Sequence, residues 1–309
     1  MKKCLWLTAL VICAGLVANG QKAKAPAPAR NNTLLWRISG KDLSKPSYLF
    51  GTMHMLCADD IVLSDSLKSA IASADDVYLE LDMENLFEMM GAMQHMSMRN
   101  DTTLADLLTR EEYNAIKKHF EEKGSMLPFN MLETYKPLLT ASMLAEQQVS
   151  SCDKVISMEQ LIMKEAKQHS VDIKGLETMN FQLGIFDKIP YRLQAKQLHK
   201  MITEAGSSKN DNSMKILTDA YRKQQLEMLE EITMKEDMGI QNFTELLLYS
   251  RNSNWAKKLQ TLMKERALVV AVGAGHLPGK RGVINLLRQA GYKVEPVKNE
   301  MIRKMVKEI

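Results

Sequence analysis

The sequence predicts an α/β fold with a central, mostly parallel β-sheet flanked by helices. Apolar, β-prone runs typical of buried strands recur along the chain, and the residues between roughly 86 and 262 have mostly helical periodicity. Two of the apolar runs, Tyr48-Leu49-Phe50 and Val269-Val270-Ala271-Val272, lead directly into the same motif, Gly-x-x-His. The composition, 45% hydrophobic and 25% charged, is that of an ordinary globular protein.

The first 20 residues predict a secretory signal peptide. Two lysines precede an apolar run at 5–17, and small residues follow at a plausible cleavage zone. The run is short for a bilayer span, although an uncleaved anchor is the alternative. The bulky Ile12 before Cys13 argues against lipid anchoring. We therefore expect export to the periplasm or cell envelope, with residues 21–32, rich in Ala, Pro and Lys, as a disordered leader.

Residues 33–309 are expected to form one α/β domain with a helical insertion at about 86–150. Several methionines open this insertion, and they predict core packing or a lid that adapts to an apolar ligand or peptide. The polar stretch 211–236 predicts a helix pair on the outside of the fold. The net charge of +4 falls to about +2 without Lys2 and Lys3 (4 − 2), which is too small a bias to indicate nucleic-acid binding.

A hairpin is expected at 34–38 and 47–50, a helix at 65–74 and a strand at 77–82. Further strands are expected at 171–174, up to 273, and at 291–297, with helices from 157–169, 256–264 and 279–290 between them.

The predicted strand at 77–82 carries two acids, Glu80 and Asp82, on one face by alternation. A carboxylate in a buried strand is costly unless it is paired or coordinated. The alternatives at this point are a structural salt bridge and a functional site.

The doubled Gly-x-x-His motif predicts one shared site. Each glycine allows close backbone approaches at a strand end, so that His54 and His276 each follow a strand. In α/β sheets, sites collect beyond the carboxyl ends of the strands.

Two cysteines remain after the predicted cleavage, Cys57 and Cys152. In an oxidising compartment they can pair. The alternatives are two free buried thiols, or Cys57 as a soft metal ligand near His54.

The motifs together resemble the TraB/PrgY/GumN family, which includes the Tiki proteases. The resemblance extends from about residue 34 to 297, and its motifs are Tyr48-Leu49-Phe50-Gly51-Thr52-Met53-His54, Leu79-Glu80-Leu81-Asp82, Gly175-Leu176-Glu177-Thr178, Arg251-Asn252 and Val272-Gly273-Ala274-Gly275-His276-Leu277-Pro278-Gly279. In many relatives Gly-x-Asp opens the helix before the third motif. Here Ser157-Met158-Glu159 keeps an acid there on a longer side chain.

The resemblance implies an exported or membrane-associated metal-dependent hydrolase that acts on a peptide or protein. It nominates His54, Glu80 and His276 as ligands of a divalent cation, with Glu177, Arg251 and Asn252 nearby. It also implies an arrangement like that of the EreA/ChaN group, which includes erythromycin esterases and haem-binding lipoproteins.

Two imidazoles and a carboxylate form a familiar ligand set for a catalytic metal, and Glu177 or Asp82 is a candidate proton acceptor. Arg251 is expected either to stabilise a developing oxyanion or to form a structural salt bridge with Glu80 or Glu177. Metal-free acid–base catalysis is an alternative. A second alternative is a non-catalytic periplasmic protein that binds a peptide or a haem-like ligand.

Overall fold

A computed structural model describes residues 32–54, 56–58, 61–125, 127–148, 155–204, 208–235 and 243–301. The predicted signal peptide, Cys13 and nearly all of the predicted leader lie outside these residues, and so does Cys152. Within these ranges, no helix is both long and apolar enough to cross a membrane.

A six-stranded sheet organises the described chain. The strands are β1 (Leu35–Ser39), β2 (Ser47–Thr52), β3 (Leu56–Cys57), β4 (Asp76–Leu81), β5 (Val155–Ile156), β6 (Asp172–Glu177), β7 (Leu268–Gly273) and β8 (Lys293–Pro296). Strands β3 and β5 form a separate two-stranded sheet, and the other six form one sheet in the order β6-β4-β7-β2-β1-β8. Within this sheet β6, β4, β7 and β2 run parallel to one another, whereas β1 is antiparallel to both β2 and β8. The predicted fold class is thereby confirmed.

Helices occupy most of the intervals between the strands. The α-helices are α1 (Asp65–Ser73), α2 (Leu86–Ala92), α3 (Leu104–Leu107), α4 (Arg110–Lys123), α5 (Phe129–Leu132), α6 (Pro137–Gln148), α7 (Met158–Gln168), α8 (Met179–Phe186), α9 (Tyr191–Thr203), α10 (Ser208–Arg222), α11 (Leu226–Lys235), α12 (Ser250–Glu265) and α13 (Val283–Gln289). A π-helical turn, Glu245–Tyr249, leads into α12, and a 3₁₀ turn, Ala274–His276, follows β7.

The sheet is covered on both faces, which explains why β7 consists almost entirely of buried apolar residues. One core cluster joins the sheet to α1 and α7 through side chains such as Phe50, Ile71 and Ile162. A second cluster joins it to α12 and α13 through side chains such as Val270 and Leu259.

A third core cluster lies among the helices. It combines side chains of α3, α4, α5 and α6 with Leu198 and Ile202 of α9. The helices expected at about 86–150 therefore share a core with a helix that follows β6.

One prediction about the polar stretch at 211–236 is wrong in part. Its two helices form, but Tyr221 and Leu229 are buried in the sheet's core. The Tyr221 hydroxyl donates to Gly51 O at 2.9 Å, so helix α10 holds the end of β2 in place.

Candidate functional site

The two Gly-x-x-His segments leave adjacent parallel strands at the same edge of the sheet. Thr52 of β2 is paired with Gly273 of β7. A Cβ added to Gly51 would lie 3.1 Å from the Cα of Ala274, so the first glycine permits close packing of the second segment. The predicted proximity of the two strand ends is confirmed.

Glu80, near the carboxyl end of β4, accepts hydrogen bonds on both oxygens. Oε1 accepts from the backbone N–H of Gly273 at 2.8 Å, and Oε2 accepts from Arg251 Nη2 at 2.6 Å. Burial alone would raise the pKa of Glu80, but attraction to His276 and Arg251 and the Gly273 hydrogen bond outweigh it and lower the pKa to about 2. Glu80 is therefore a carboxylate at neutral pH.

Arg251, in the first turn of α12, links two carboxylates. Its Nη2 lies 2.8 Å from Glu177 Oε2, while its Nε donates to the same oxygen at 2.9 Å. Its Nη1 donates to Leu247 O at 3.1 Å, and the guanidinium carbon lies 4.7 Å from the ring centre of Trp255. The guanidinium is therefore buried, and hydrogen bonds and the Trp255 ring hold its orientation.

Gln182 of α8 completes this carboxylate cluster. Its Nε2 donates to Glu177 Oε2 at 3.2 Å and, more weakly, to Glu80 Oε2 at 3.4 Å. The strand β6 delivers Glu177, and Thr178 caps α8 by accepting from Phe181 N. The cap places Gln182 one helical turn beyond Thr178, facing the two acids.

His276 is buried with only 6% of its side chain exposed. Its Nδ1 lies 2.6 Å from Asn252 Oδ1, and Asn252 Nδ2 donates to Arg281 O at 2.9 Å. Because Nδ2 points to a carbonyl, Oδ1 is the acceptor, so the imidazole proton resides on Nδ1. The lone pair of Nε2 therefore faces Arg251 Nη1 at 3.3 Å and Glu80 Oε1 at 3.8 Å.

The charge state of His276 follows from its surroundings. Burial lowers its pKa, and Arg251 and His54 lower it further, whereas Glu80 raises it; the result is a pKa of about 4. The Trp255 ring, 4.5 Å away between centroids, supplies part of that burial. His276 is thus a neutral imidazole at neutral pH.

His54 is the exposed member of the pair, with 64% of its side chain accessible. Its Nδ1 lies 3.0 Å from Glu159 Oε1 at the start of α7. Burial would raise the pKa of Glu159, but the hydrogen bond and charge of His54 outweigh it, so that the pKa is lowered. The nearby His54 also lowers the pKa of His276.

The chemistry of His276 suits a ligand of a divalent cation. Metal-binding histidines are neutral and commonly donate the second ring N–H to an oxygen, as His276 does to Asn252. Among the described residues, however, no group of three or more His, Cys, Asp or Glu side chains is placed to hold a metal ion. In this arrangement the Glu80 carboxylate is bound to Arg251.

The structure thus gathers most of the predicted site residues. Glu80, Glu177, Arg251, Asn252 and His276 form one hydrogen-bonded cluster, whereas His54 contacts Glu159 and follows β2, the strand paired with β7. Asp82 is not brought into the cluster. It follows the end of β4, and its Oδ1 accepts from Glu84 N at 3.0 Å.

Gln182, Glu159 and Trp255 belong to the site without having been assigned to it from the sequence. The position of Gln182 after the Gly-Leu-Glu-Thr motif was the available signal. Cys57 is disulfide-bonded, and the predicted partner Cys152 lies outside the described residues.

The fold and the site define an α/β protein with a histidine, carboxylate and guanidinium cluster at the carboxyl edge of its parallel strands. The sequence model of the TraB/PrgY/gumN family matches residues 34–296, and the chain belongs to this family.

Curated relatives carry the name of metalloproteases. The chain is 24% identical to Metalloprotease TIKI2 of Xenopus tropicalis, over 96% of this chain and 68% of that protein. It is 24% identical to Metalloprotease TIKI1 of Homo sapiens, over 87% of this chain and 63% of that protein. The chain thus spans about two thirds of the length of these relatives. No solved structure matches the chain.

Proposed function

We propose that this protein is an exported, metal-dependent peptidase. The observation that carries the proposal is the neutral His276, whose Nε2 faces the Glu80–Arg251 pair at the edge shared with His54. Membership of a family with curated metalloproteases supports hydrolysis of a peptide bond.

His54, Glu80 and His276 are the residues that would hold the divalent cation. When bound, such a cation lowers the pKa of water and polarises a carbonyl. Asn252 orients His276 by accepting a hydrogen bond from its Nδ1, and Arg251 binds both Glu80 and Glu177, so that the two side chains lie side by side. Glu177 is the proposed acceptor of the proton released by the attacking water. The guanidinium is placed to balance negative charge that develops next to it.

An exposed apolar surface beside the cluster supports a peptide substrate. Phe87 of α2 is 90% exposed, and three other large apolar side chains of this region are also exposed: Leu86, Met90 and Met93. Glu88 Oε1 accepts from Met179 N at 2.5 Å, which fixes α2 against the helix that carries Gln182. Exposed apolar patches of this kind mark binding surfaces.

The charges of α2 favour a peptide over a membrane surface. Interfacial membrane helices are rich in Lys and Arg, whereas α2 contains Glu88 and neither Lys nor Arg. Methionine-rich surfaces adapt to varied apolar side chains. We therefore propose a peptide or protein segment with apolar residues as the substrate.

The test is a peptide-library digestion with and without added divalent cations, combined with elemental analysis of the purified protein. We expect cation-dependent cleavage that a chelator abolishes. Glu80→Gln, His54→Ala and His276→Ala should each lose cleavage and bound metal. His169→Ala is the matched control, because this exposed histidine of the α7 region pairs only locally with Glu165.

Two results would contradict the proposal. Metal bound equally by wild type, His54→Ala and His276→Ala would exclude the shared metal site. A retained coloured cofactor, together with no cleavage of any peptide, would support the non-catalytic binding protein instead.

A further inference from the structure

Both Gly-x-x-His histidines make the same kind of contact. Nδ1 of His276 lies 2.6 Å from Asn252 Oδ1 on α12, and Nδ1 of His54 lies 3.0 Å from Glu159 Oε1 on α7. In each case an oxygen from a helix packed against one face of the sheet meets the same ring nitrogen. The two contacts come from opposite faces, since α7 and α12 belong to different core clusters.

The position of Glu159 is set by the backbone next to it. Ser157 caps α7 by accepting from Gln160 N at 3.1 Å. Met158, whose side chain is fully buried, donates its N–H to Met53 O at 3.2 Å. The residues that immediately precede Glu159 and His54 are therefore joined to each other, so that the two side chains meet at a fixed place.

A carboxylate at this place selects one tautomer of His54. An ionised carboxylate only accepts hydrogen bonds, so the nitrogen that it contacts must carry the proton. In the neutral imidazole the single proton then resides on Nδ1, and Nε2 carries the lone pair. The same choice is made at His276 by the amide oxygen of Asn252.

We infer that Glu159 is the positioning residue of His54 and that, together with Asn252, it makes both histidines present Nε2 toward the shared site. The different chemistry of the two partners matches the different exposure of the two rings. His276 is buried, and a neutral amide suffices to hold it. His54 is largely exposed to water, which competes for its N–H, and a charge-assisted hydrogen bond is about twice as strong as a neutral one.

The consequence for metal binding rests on the proposed function, whereas the tautomer does not. Long-range proton–nitrogen correlation spectra of the metal-free protein report which ring nitrogen of each histidine is protonated, and His54→Ala assigns the His54 signals. We expect the wild type to show the Nδ1–H form of His54. Glu159→Ala should lose this form in favour of Nε2–H, and Glu159→Gln, which keeps an acceptor oxygen, should retain it largely.

The matched control is Glu165→Ala on the same helix. Glu165 contacts His169 at 3.4 Å, so this variant should alter the signals of His169 and leave those of His54 unchanged. Thermal unfolding of each variant establishes that it is folded before its spectrum is compared.

Titration with Co²⁺ supplies the second readout. Residues that orient a metal-binding histidine typically contribute 10- to 100-fold to metal affinity, so Glu159→Ala should weaken Co²⁺ binding by about that factor and Glu159→Gln by less. An unchanged His54 tautomer in folded Glu159→Ala would overturn the inference. A wild type that shows the expected tautomer but binds no Co²⁺ would overturn the proposed metal site and leave the assignment of Glu159 intact.

Discussion

Replacing Arg251 with Met should destabilise the protein strongly and in a pH-dependent way. The guanidinium is buried and pairs with Glu80 and Glu177 at 2.6 and 2.8 Å. Methionine retains the bulk of the side chain but leaves two buried carboxylates without their cation. Removing one partner of a buried ion pair costs about 3–5 kcal/mol, and we expect a loss of this size in the free energy of unfolding at neutral pH.

The lowered pKa of Glu80 implies a stabilisation of similar size. A pKa of about 2 in the folded protein, against an ordinary value of 4.5, corresponds to about 3 kcal/mol of stabilisation at neutral pH. Because this pKa is lowered, the contribution is complete above about pH 5 and is lost as the pH falls toward 2. Arg251→Met raises the pKa of Glu80, so the folded variant takes up its proton more readily in acid and its stability should decline less steeply below about pH 5 than that of the wild type.

The assay is urea-induced unfolding of both proteins at about pH 7 and pH 3. The difference between them should be largest at neutral pH and shrink in acid, where the carboxylates can be protonated. Adding Glu80→Gln to Arg251→Met should restore part of the loss, with a coupling energy of roughly 1–3 kcal/mol.

Arg281→Met is the control for the loss of an arginine. Arg281 pairs with Glu245, but both side chains are about half exposed, and such pairs contribute roughly 0–1 kcal/mol. An Arg251→Met variant that loses no more stability than Arg281→Met at neutral pH would refute the assignment of Arg251 as a buried counter-ion of the two acids.

Three further predictions concern other parts of the molecule. His276 should titrate near pH 4 in nuclear magnetic resonance spectra, because burial lowers its pKa, and a midpoint above 6 would contradict the buried neutral imidazole. Thiol labelling of the unreduced, unfolded mature protein should detect no free thiol from Cys57 and Cys152; a bridge closing a loop of about 95 residues stabilises by roughly 4–5 kcal/mol, and two labelled thiols would exclude it. Phe87→Ser should weaken the binding of apolar peptides with little change in stability because the ring is exposed, whereas Met228→Ser, an exposed control on α11, should leave peptide binding unchanged.

The sequence was sufficient to predict the parallel sheet and the edge that carries the site. Continuous apolar runs encode strands that are buried on both faces. The glycines after residues 50 and 272 mark the strand ends, where the absence of a Cβ allows neighbouring atoms to approach the backbone closely. Glu80 stood out for the same local reason, because an acid in a buried strand requires a partner. The choice between its partners was left open by the sequence.

Tertiary structure decided that choice. Arg251 lies 171 residues from Glu80 along the chain and reaches it only because α12 packs on the sheet beside β4 and β6. One guanidinium then holds both acids, an arrangement that no spacing within a single element encodes.

The contacts of Glu159 and Tyr221 also could not be predicted from the sequence. The sequence pattern around each residue predicts a polar or amphipathic helix. It does not predict which atoms the buried face of that helix contacts. Their contacts with His54 and Gly51 depend on how α7 and α10 dock on the sheet. Periodicity along the chain determines which side of a helix is buried, whereas the identity of the neighbouring atom depends on the relative placement of elements that are distant in sequence.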